Sequence, residues 1–238
     1  MKSKIRLGIL GGGGDSLIGI VHRIASSMHD KYSIIGGVFN PDYSENLKFA
    51  KEIGLDESRV YEDYDKMIQE ELKLDKSQRM QVVSILTPNF LHYPMAKKLL
   101  ENNFNVICEK PMTTTYEEAL DLERIYKSKK LTFAVTYTYT GYPMIRQMKE
   151  MIKNGIIGDI QRVDLQYYQG WINPIIHDTV KRSETWRLQP DKSGISCCIG
   201  DIGTHAFDML EYVTGMEVKE LLSLSLIHIS EPTRHCLI

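Results

Sequence analysis

Short apolar runs separated by helical periodicities dominate the first 137 residues, and few folds accommodate that pattern. Residues 4–10, KIRLGIL, read as a short buried strand ending in glycines. From Ile18 to Met28 the apolar residues Ile20, Val21, Ile24 and Ala25 recur on one side of a helix. Tyr32 to Phe39, YSIIGGVF, is a second strand, ended by Asn40-Pro41-Asp42. Ser44 can cap the next helix, whose Leu47, Phe49, Ala50 and Ile53 lead to a stop at Gly54. Val60-Tyr61 makes a brief third strand before an acidic amphipathic helix, Tyr64 to Leu72. Gln81 to Leu86, QVVSIL, reads as a fully apolar strand, as a central parallel strand should. Helix 90–102 and strand Asn105 to Cys108 follow. Thr115-x-x-Glu118 is a capping box that opens helix 116–129, and Leu131 to Tyr137 closes the series as a last strand. Strands alternating with helices predict an α/β chain with a doubly wound parallel sheet.

After Gly141 the pattern changes. Pro143 suits the first turn of a helix that stops near Gly155. Ile160 to Tyr168 alternates, with Val163, Leu165 and Tyr167 on one face, which predicts a half-buried strand of an antiparallel sheet. A long irregular stretch, 169–199, carries Trp171, His177, Trp186 and Arg187, and loops of that length are commonly functional. It leads into a helix from Asp201 to Val213, with Thr214-Gly215 as its stop. The expected organisation is a Rossmann-type domain over residues 1–135, an α+β domain with a mainly antiparallel sheet over 136–222, and a tail over 223–238. No internal repeat is present.

Composition narrows the function classes. A 238-residue chain with 42% hydrophobic and 25% charged residues has ample material for a soluble core. A net charge of −2 leaves no basic footprint for nucleic acid. No run approaches the roughly 18 apolar residues of a membrane span. The start, MKSKIRLGIL, is interrupted by glycines with no small-residue cleavage site after it, so a secretory leader is not predicted. The four cysteines, Cys108, Cys197, Cys198 and Cys236, form no paired framework, and a vicinal Cys197-Cys198 pair bridges poorly. A cytoplasmic setting is expected.

The segment Ile9 to His22, ILGGGGDSLIGIVH, joins the first strand to the first helix. Strand, tight turn and helix N-terminus are what a dinucleotide pyrophosphate needs. Gly11 and Gly13 fit the first two positions of the Gly-x-Gly-x-x-Gly fingerprint, whereas Gly19 comes six residues after Gly13 instead of three. A flexible turn is the plain alternative; a phosphate loop of the Gly-Lys-Ser/Thr type is excluded, because no such residues follow. At the end of the second strand, where an acid should bind the ribose hydroxyls, Asn40 stands with Asp42 two residues later. Both NAD and NADP therefore stay open, although no arginine adjoins to hold a 2′-phosphate.

Three further motifs follow in order: Thr87-Pro88-Asn89-Phe90-Leu91-His92, Cys108-Glu109-Lys110-Pro111 and Gly200-Asp201-Ile202-Gly203-Thr204-His205. With Gly19-x-x-His22 they make the chain resemble the Gfo/Idh/MocA family of nicotinamide-dependent sugar and polyol oxidoreductases, over residues 4 to about 222. The resemblance implies an NAD(P)-binding domain at 1–135 and a substrate-binding domain at 136–222. It implies that Thr87, Asn89 and His92 lie along the cofactor and that Glu109 contacts the nicotinamide-side ribose. Lys110 matches the catalytic lysine of the Glu-Lys-Pro motif, and Asp201 and His205 match the Asp-x-x-x-His pair. Some members share the extended loop GGG…IG-x-VHR and the segment Tyr139-Thr140-Gly141-Tyr142-Pro143-Met144, so the departure from the standard fingerprint is itself a feature of a subgroup.

Residue chemistry points the same way. Oxidising a secondary alcohol needs a group that takes the hydroxyl proton, and an imidazole supported by a carboxylate suits that task. His205 is assigned the proton with Asp201 four residues earlier on the same helix face, and Lys110 the stabilisation of the oxygen's developing charge. Singly, each has a plainer use: Asp201 as a helix N-cap, His205 as a packed core histidine, Lys110 as a surface lysine. Tyr142, Trp186 and Arg187 could line a sugar site or simply pack. Cys198, Asp201 and His205 lack the usual Cys-x-x-Cys spacing of a metal site, and no metal is expected. The competing function is a non-catalytic dinucleotide-binding sensor or scaffold, for which Lys110, Asp201 and His205 are not needed.

The last residues read differently. MEVKELL, 216–222, approaches a new strand, but the run from Ser223 onward contains SLIHISEPTR, which resembles translated sequencing-adapter read-through. An edge strand is the alternative. The resemblance implies a second domain longer than the chain that remains, so that domain is expected to be truncated and this chain to be a fragment; a fragment that binds cofactor without turnover is a third alternative. Recovery of the genomic locus tests this, since an intact gene ending at Ile238 would refute it. The full-length protein is expected to be a homo-oligomer acting on a small sugar or polyol, with no nucleic-acid or membrane partner.

Overall fold

The computed structural model describes residues 3–176, 178–194 and 198–222; the expectations attached to His177, Cys197 and the run from Ser223 lie outside them. The chain divides into two compact units, Met1–Thr136 and Tyr137–Ile238.

The first unit is a five-stranded sheet in the order β2-β1-β3-β4-β5, with every pair parallel. Its strands are β1 (Ile5–Gly11), β2 (Tyr32–Val38), β3 (Val82–Leu86), β4 (Asn105–Cys108) and β5 (Phe133–Val135). Five helices connect them: α1 (Leu17–Ser27), α2 (Tyr43–Glu52), α3 (Tyr64–Lys73), α4 (His92–Glu101) and α5 (Tyr116–Lys129). Parallel pairing forces each connection back across a face of the sheet, which explains the strand–helix alternation. The chain leaves β1 for one edge and then crosses to β3 for the other, so β1 and β3 form the topological switch point.

Alternation within the strands sorts the core into two faces. Leu7 and Ile9 of β1 meet Phe39, Phe49, Ala50, Val82 and Leu86 on the α1/α2 side. Leu10, Val83, Ile85 and Val106 meet Met67, Leu99, Leu100 and Leu122 on the other. Ser84 sits between Val82 and Leu86 in the period-two pattern, so the single polar residue of β3 faces α1.

Several local expectations change. The residues Val60-Tyr61 form only a single parallel bridge, Gly37 to Val60, because the chain turns at once to the Asp63 cap of α3. Tyr61 is held there by its hydroxyl, which donates to the fully buried Glu71 carboxylate at 2.7 Å. Glu71 also accepts from Arg59 Nη2 at 2.6 Å and from the Met80 N–H at 2.8 Å. Asp42, not Ser44, caps α2, accepting from the Ser44 and Glu45 N–H groups. On α1 the side carrying Ile20, Val21 and Ile24 faces outward, while Gly19, His22 and Ser26 turn toward the sheet. The reason is a close approach of α1 to the end of β1 that bulky residues would prevent, described below.

The second unit contains α6 (Pro143–Lys153), short helices α7 (Asn173–Ile176), α8 (Thr179–Glu184) and α9 (Pro190–Ser193), and α10 (Thr204–Thr214). The expected strand at Ile160 to Tyr168 is not formed: these residues carry no sheet pairing, and Val163, Leu165 and Tyr167 are exposed. A strand exists only through a neighbour's backbone groups, and the described residues of this unit supply none. No helix among the described residues is long and apolar enough to cross a membrane.

Leu99 lies in the centre of the α4 face with no exposed surface. Leu99→Ala should destabilise the first unit by about 3 kcal/mol through lost burial and the cavity left behind, as read by urea unfolding.

Candidate functional site

In a parallel open sheet the crevice beyond the carboxyl ends of the strands at the switch point is the place for a ligand. Here it is built from the loops after β1, β2, β3 and β4. The first begins where β1 ends at Gly11 and reaches the Ser16 cap of α1, whose hydroxyl oxygen accepts the Gly19 N–H at 3.3 Å. The Gly13 N–H donates to the Phe39 carbonyl at 3.1 Å, tying the loop to the end of β2. Arg23 Nη1 donates to the Gly12 carbonyl at 2.7 Å, with its guanidinium 4.9 Å from the Phe49 ring centre.

Two glycines make this approach possible. A Cβ on Gly19 would stand 1.9 Å from the Gly12 carbonyl oxygen, and one on Gly13 would stand 2.7 Å from the Phe39 oxygen. Helix and strand end therefore meet backbone on backbone. That close helix–strand contact is the job of the third glycine in a dinucleotide fingerprint, so Gly19 performs it six residues after Gly13. The first-turn N–H groups of an α-helix have no acceptor within it, so the start of α1 has a polarity suited to a phosphate.

Beneath the loop lies a polar chain. Glu109, just past β4, is buried; its Oε1 accepts from the Thr136 hydroxyl at 2.6 Å and lies 2.9 Å from His22 Nε2. The other nitrogen of His22 lies 3.2 Å from the Ser84 hydroxyl. Burial pushes the Glu109 carboxyl upward, but hydrogen bonds from His22 and Thr136 outweigh it and hold the group below its ordinary value. Ser84 is itself buried, so this serine–histidine–glutamate series is a brace and not a nucleophilic triad. Lys110 follows Glu109, its N–H 3.3 Å from Glu109 Oε2 and its side chain half-buried; the Lys110-Pro111 peptide is cis.

The loop after β3 supplies Thr87, Asn89 and His92. Thr87 is half-buried with its hydroxyl directed at Met95 Sδ, and Asn89 is buried. His92 opens α4 with its ring buried and both nitrogens 2.7 Å from main-chain carbonyls, Nδ1 from Pro111 and Nε2 from Thr87. The ring expected to lie along a cofactor is thus occupied by protein on both edges. At the end of β2 the Asn40 side-chain oxygen accepts the Asp42 N–H at 2.9 Å. Asp42 is exposed and held below the ordinary aspartate value, first by the Ser44 hydroxyl and then by the Ser44 and Glu45 N–H groups.

The second unit carries Asp201 and His205. A π-helical turn, Ile199–Gly203, precedes α10 and contains Asp201, so Asp201 is not an N-cap, and only His205 lies in the regular helix. Turns of this type are frequent at functional sites. His205 is buried, with the Tyr139 ring centre 4.4 Å away and Tyr137 edge-on at 5.5 Å. The Tyr139 hydroxyl lies 3.2 Å from that of Tyr167. That hydrogen bond, then burial, and more weakly the charge of Asp201, push Tyr139 up to about 12. Tyr142 is exposed beside Tyr139, with ring centres 5.9 Å apart. Trp186 and Arg187 share a 3-10 turn in which the guanidinium covers the indole at 4.5 Å. Ser84 and Thr136 were not singled out by sequence, while Arg23 and Tyr139 stood there only within shared segments, without a role.

The family model described as "Oxidoreductase family, NAD-binding Rossmann fold" matches residues 5–137, and the "GFO/IDH/MocA C-terminal domain" model matches residues 145–231. The chain is 36% identical over 224 residues to an uncharacterized oxidoreductase, YfiI, of Bacillus subtilis, covering 93% of this chain and 56% of that one. It is 34% identical over 138 residues to levoglucosan dehydrogenase of Pseudarthrobacter phenanthrenivorans, 56% of this chain and 33% of that one. The structure of an inositol dehydrogenase homolog from Azotobacter vinelandii, complexed with NADH and myo-inositol, superposes with a TM-score of 0.80 at 31% identity, covering 90% of this chain and 54% of that one. The chain spans about half the length of the curated relatives it matches.

Gly19→Ala should force α1 off the end of β1 and lower stability by about 1–3 kcal/mol, the usual cost of an overpacked contact, measured by thermal unfolding. Because folding lowers the Glu109 pKa, its carboxylate stabilises the fold above about pH 4.5 and ceases to do so as pH falls through the lowered value. Wild type should exceed Glu109→Gln by about 1–3 kcal/mol at neutral pH, and the gap should close in acid. A gap that is constant from pH 7 to pH 3 in urea titrations contradicts the lowered value.

Proposed function

The chain belongs to the Gfo/Idh/MocA oxidoreductase family, and from that premise we propose that the whole protein is a dehydrogenase acting on a secondary alcohol of a sugar, sugar derivative or cyclic polyol. The observation that carries this reading is the backbone contact of Gly19 with Gly12, which sets a helix N-terminus against the end of β1 at the switch point. Residues 1–135 hold the cofactor and residues 136–222 contribute to the substrate side. Nicotinamide, when bound, accepts or returns a hydride. The Gly11–Gly19 loop would hold the pyrophosphate on main-chain N–H groups, and Asn40 and Thr87 would help hold the rest of the cofactor.

Each side chain then has a task set by its chemistry. His205, enclosed by Tyr137 and Tyr139, takes the proton of the substrate hydroxyl as general base, supported by the carboxylate of Asp201. The Lys110 ammonium donates to the same oxygen and stabilises the negative charge that develops there. Glu109 is locked by His22 and Thr136, which fixes the main chain from which Lys110 extends. Tyr142, Trp186 and Arg187 offer aromatic faces and a planar donor, the groups that bind sugar rings by stacking and hydrogen bonding. The resemblance to an inositol dehydrogenase homolog and to levoglucosan dehydrogenase supports this substrate class.

The exposed carboxylate of Asp42 favours NAD, because a 2′-phosphate brought to the end of β2 would meet a fixed negative charge. NAD should bind more tightly than NADP, by about tenfold or more. Asp42→Asn, which keeps an N-cap, should narrow that preference in direct titrations. Absorbance of reduced nicotinamide with a panel of polyols and sugars, on full-length protein, tests the activity. Lys110→Met and His205→Ala should each cut kcat by about a hundredfold or more; undiminished turnover in both would refute the assignment.

A further inference from the structure

The imidazole of His92 joins two loops that the sheet topology keeps separate. Its Nε2 faces the Thr87 carbonyl in the loop after β3, and its Nδ1 faces the Pro111 carbonyl in the loop after β4, each at 2.7 Å. The ring is almost wholly buried, so neither nitrogen is served by bulk water. The two contacts differ in consequence. Thr87 is only five residues from His92, and its loop is already turned back by the Leu91 N–H on the Pro88 carbonyl at 3.0 Å. Pro111 is nineteen residues away, so its contact ties the Glu109-Lys110-Pro111 turn to the start of α4. A carbonyl oxygen only accepts, so this tie needs a proton on Nδ1.

We propose that His92 is a positioning residue for Lys110: its Nδ1–H, donated to the Pro111 carbonyl, sets where the turn after β4 holds the lysine amine. His92 thereby leaves the set of cofactor contacts and acts through the main chain of the next motif. Glu109 and Lys110 are the charged groups that bear on the ring, with opposite effects, and burial favours its neutral form. A neutral ring carries one N–H and serves one of the two carbonyls; the imidazolium serves both. The Pro111 contact persists in either form if the neutral tautomer is the Nδ1–H one. The inference rests on Lys110 having the role given above, but its test reads the environment of the amine and not turnover, so the two can fail separately.

Asparagine places an amide nitrogen close to the position of Nδ1, and glutamine places one close to that of Nε2. Acetylation of the whole chain by a limiting amount of an amine-reactive ester, followed by digestion and mass spectrometry of the peptides that carry Lys110 and Lys48, compares the variants, with the exposed Lys48 as internal reference. His92→Asn should keep the Lys110 rate within about twofold of wild type. His92→Gln, which retains only the Thr87 contact, should shift it by about five- to tenfold, the worth of one main-chain hydrogen bond. If both variants alter the rate alike, or neither does, the ring only fills space and the proposal fails. Nitrogen-15 NMR of the unmutated chain gives a second reading that does not depend on the variants folding. A proton on His92 Nδ1 between pH 6 and 8 supports the assignment, and a bare Nδ1 overturns it.

Discussion

A parallel sheet cannot be joined by hairpins, and that constraint arranges everything else in the first unit. Each strand must be followed by a crossover, so the carboxyl ends of all five strands emerge on one edge. The reversal between β1 and β3 then opens a crevice there, because the chain leaves those two strands in opposite directions. The functional motifs are far apart in sequence, yet each stands directly after a strand. Gly11 ends β1, Asn40 follows β2, Thr87 follows β3 and Glu109 follows β4.

Such an edge carries loops, and loops held only by their ends would be poor supports for chemistry. This chain stiffens them from below with buried polar side chains. Glu109 receives His22 from α1 and Thr136 from the far side of β5, while His22 reaches Ser84 in the middle of β3. Arg23 fastens the Gly12 carbonyl, and His92 spans the loops after β3 and β4. Polar groups in a dry interior are costly unless paired, so a displaced member of the chain leaves a partner unsatisfied. That penalty makes the geometry of the edge cooperative. In the second unit, where the groups around His205 are aromatic, shape does more of this work, with Tyr139 and Tyr137 enclosing the ring.

Much of this was legible in the sequence, for identifiable reasons. Period-two and period-3.6 patterns located the strands and helices of the first unit to within a few residues, because burial on both faces leaves an unmistakable apolar run. The capping box at Thr115 and Glu118 formed as its spacing requires. Ile160 to Tyr168 misled because alternation reports what a strand needs but not whether a neighbour is there to pair with it. The outward turn of Ile20, Val21 and Ile24 was equally hidden: their spacing defines a side of α1, and only the contact at Gly19 decides which side faces the sheet. Asp42 displaced Ser44 as a cap because the bend at Pro41-Asp42 starts the helix two residues earlier.

The sequence by itself determined the α/β class, the parallel order of elements up to Thr136 and the motifs that mark the family, because these depend on local periodicity and on residue types at short spacings. The tertiary structure alone decided what those residues touch. It turned the displaced Gly19 from an irregular spacing into a working backbone contact. It buried His92, and half-buried His22, under the edge that sequence had placed them upon. It also put Asp201 inside a π turn, where an N-cap had been the plainer alternative. The physical reason is the same in each case: hydrogen bonding and steric exclusion act between atoms tens of residues apart, and only the folded chain brings them within reach.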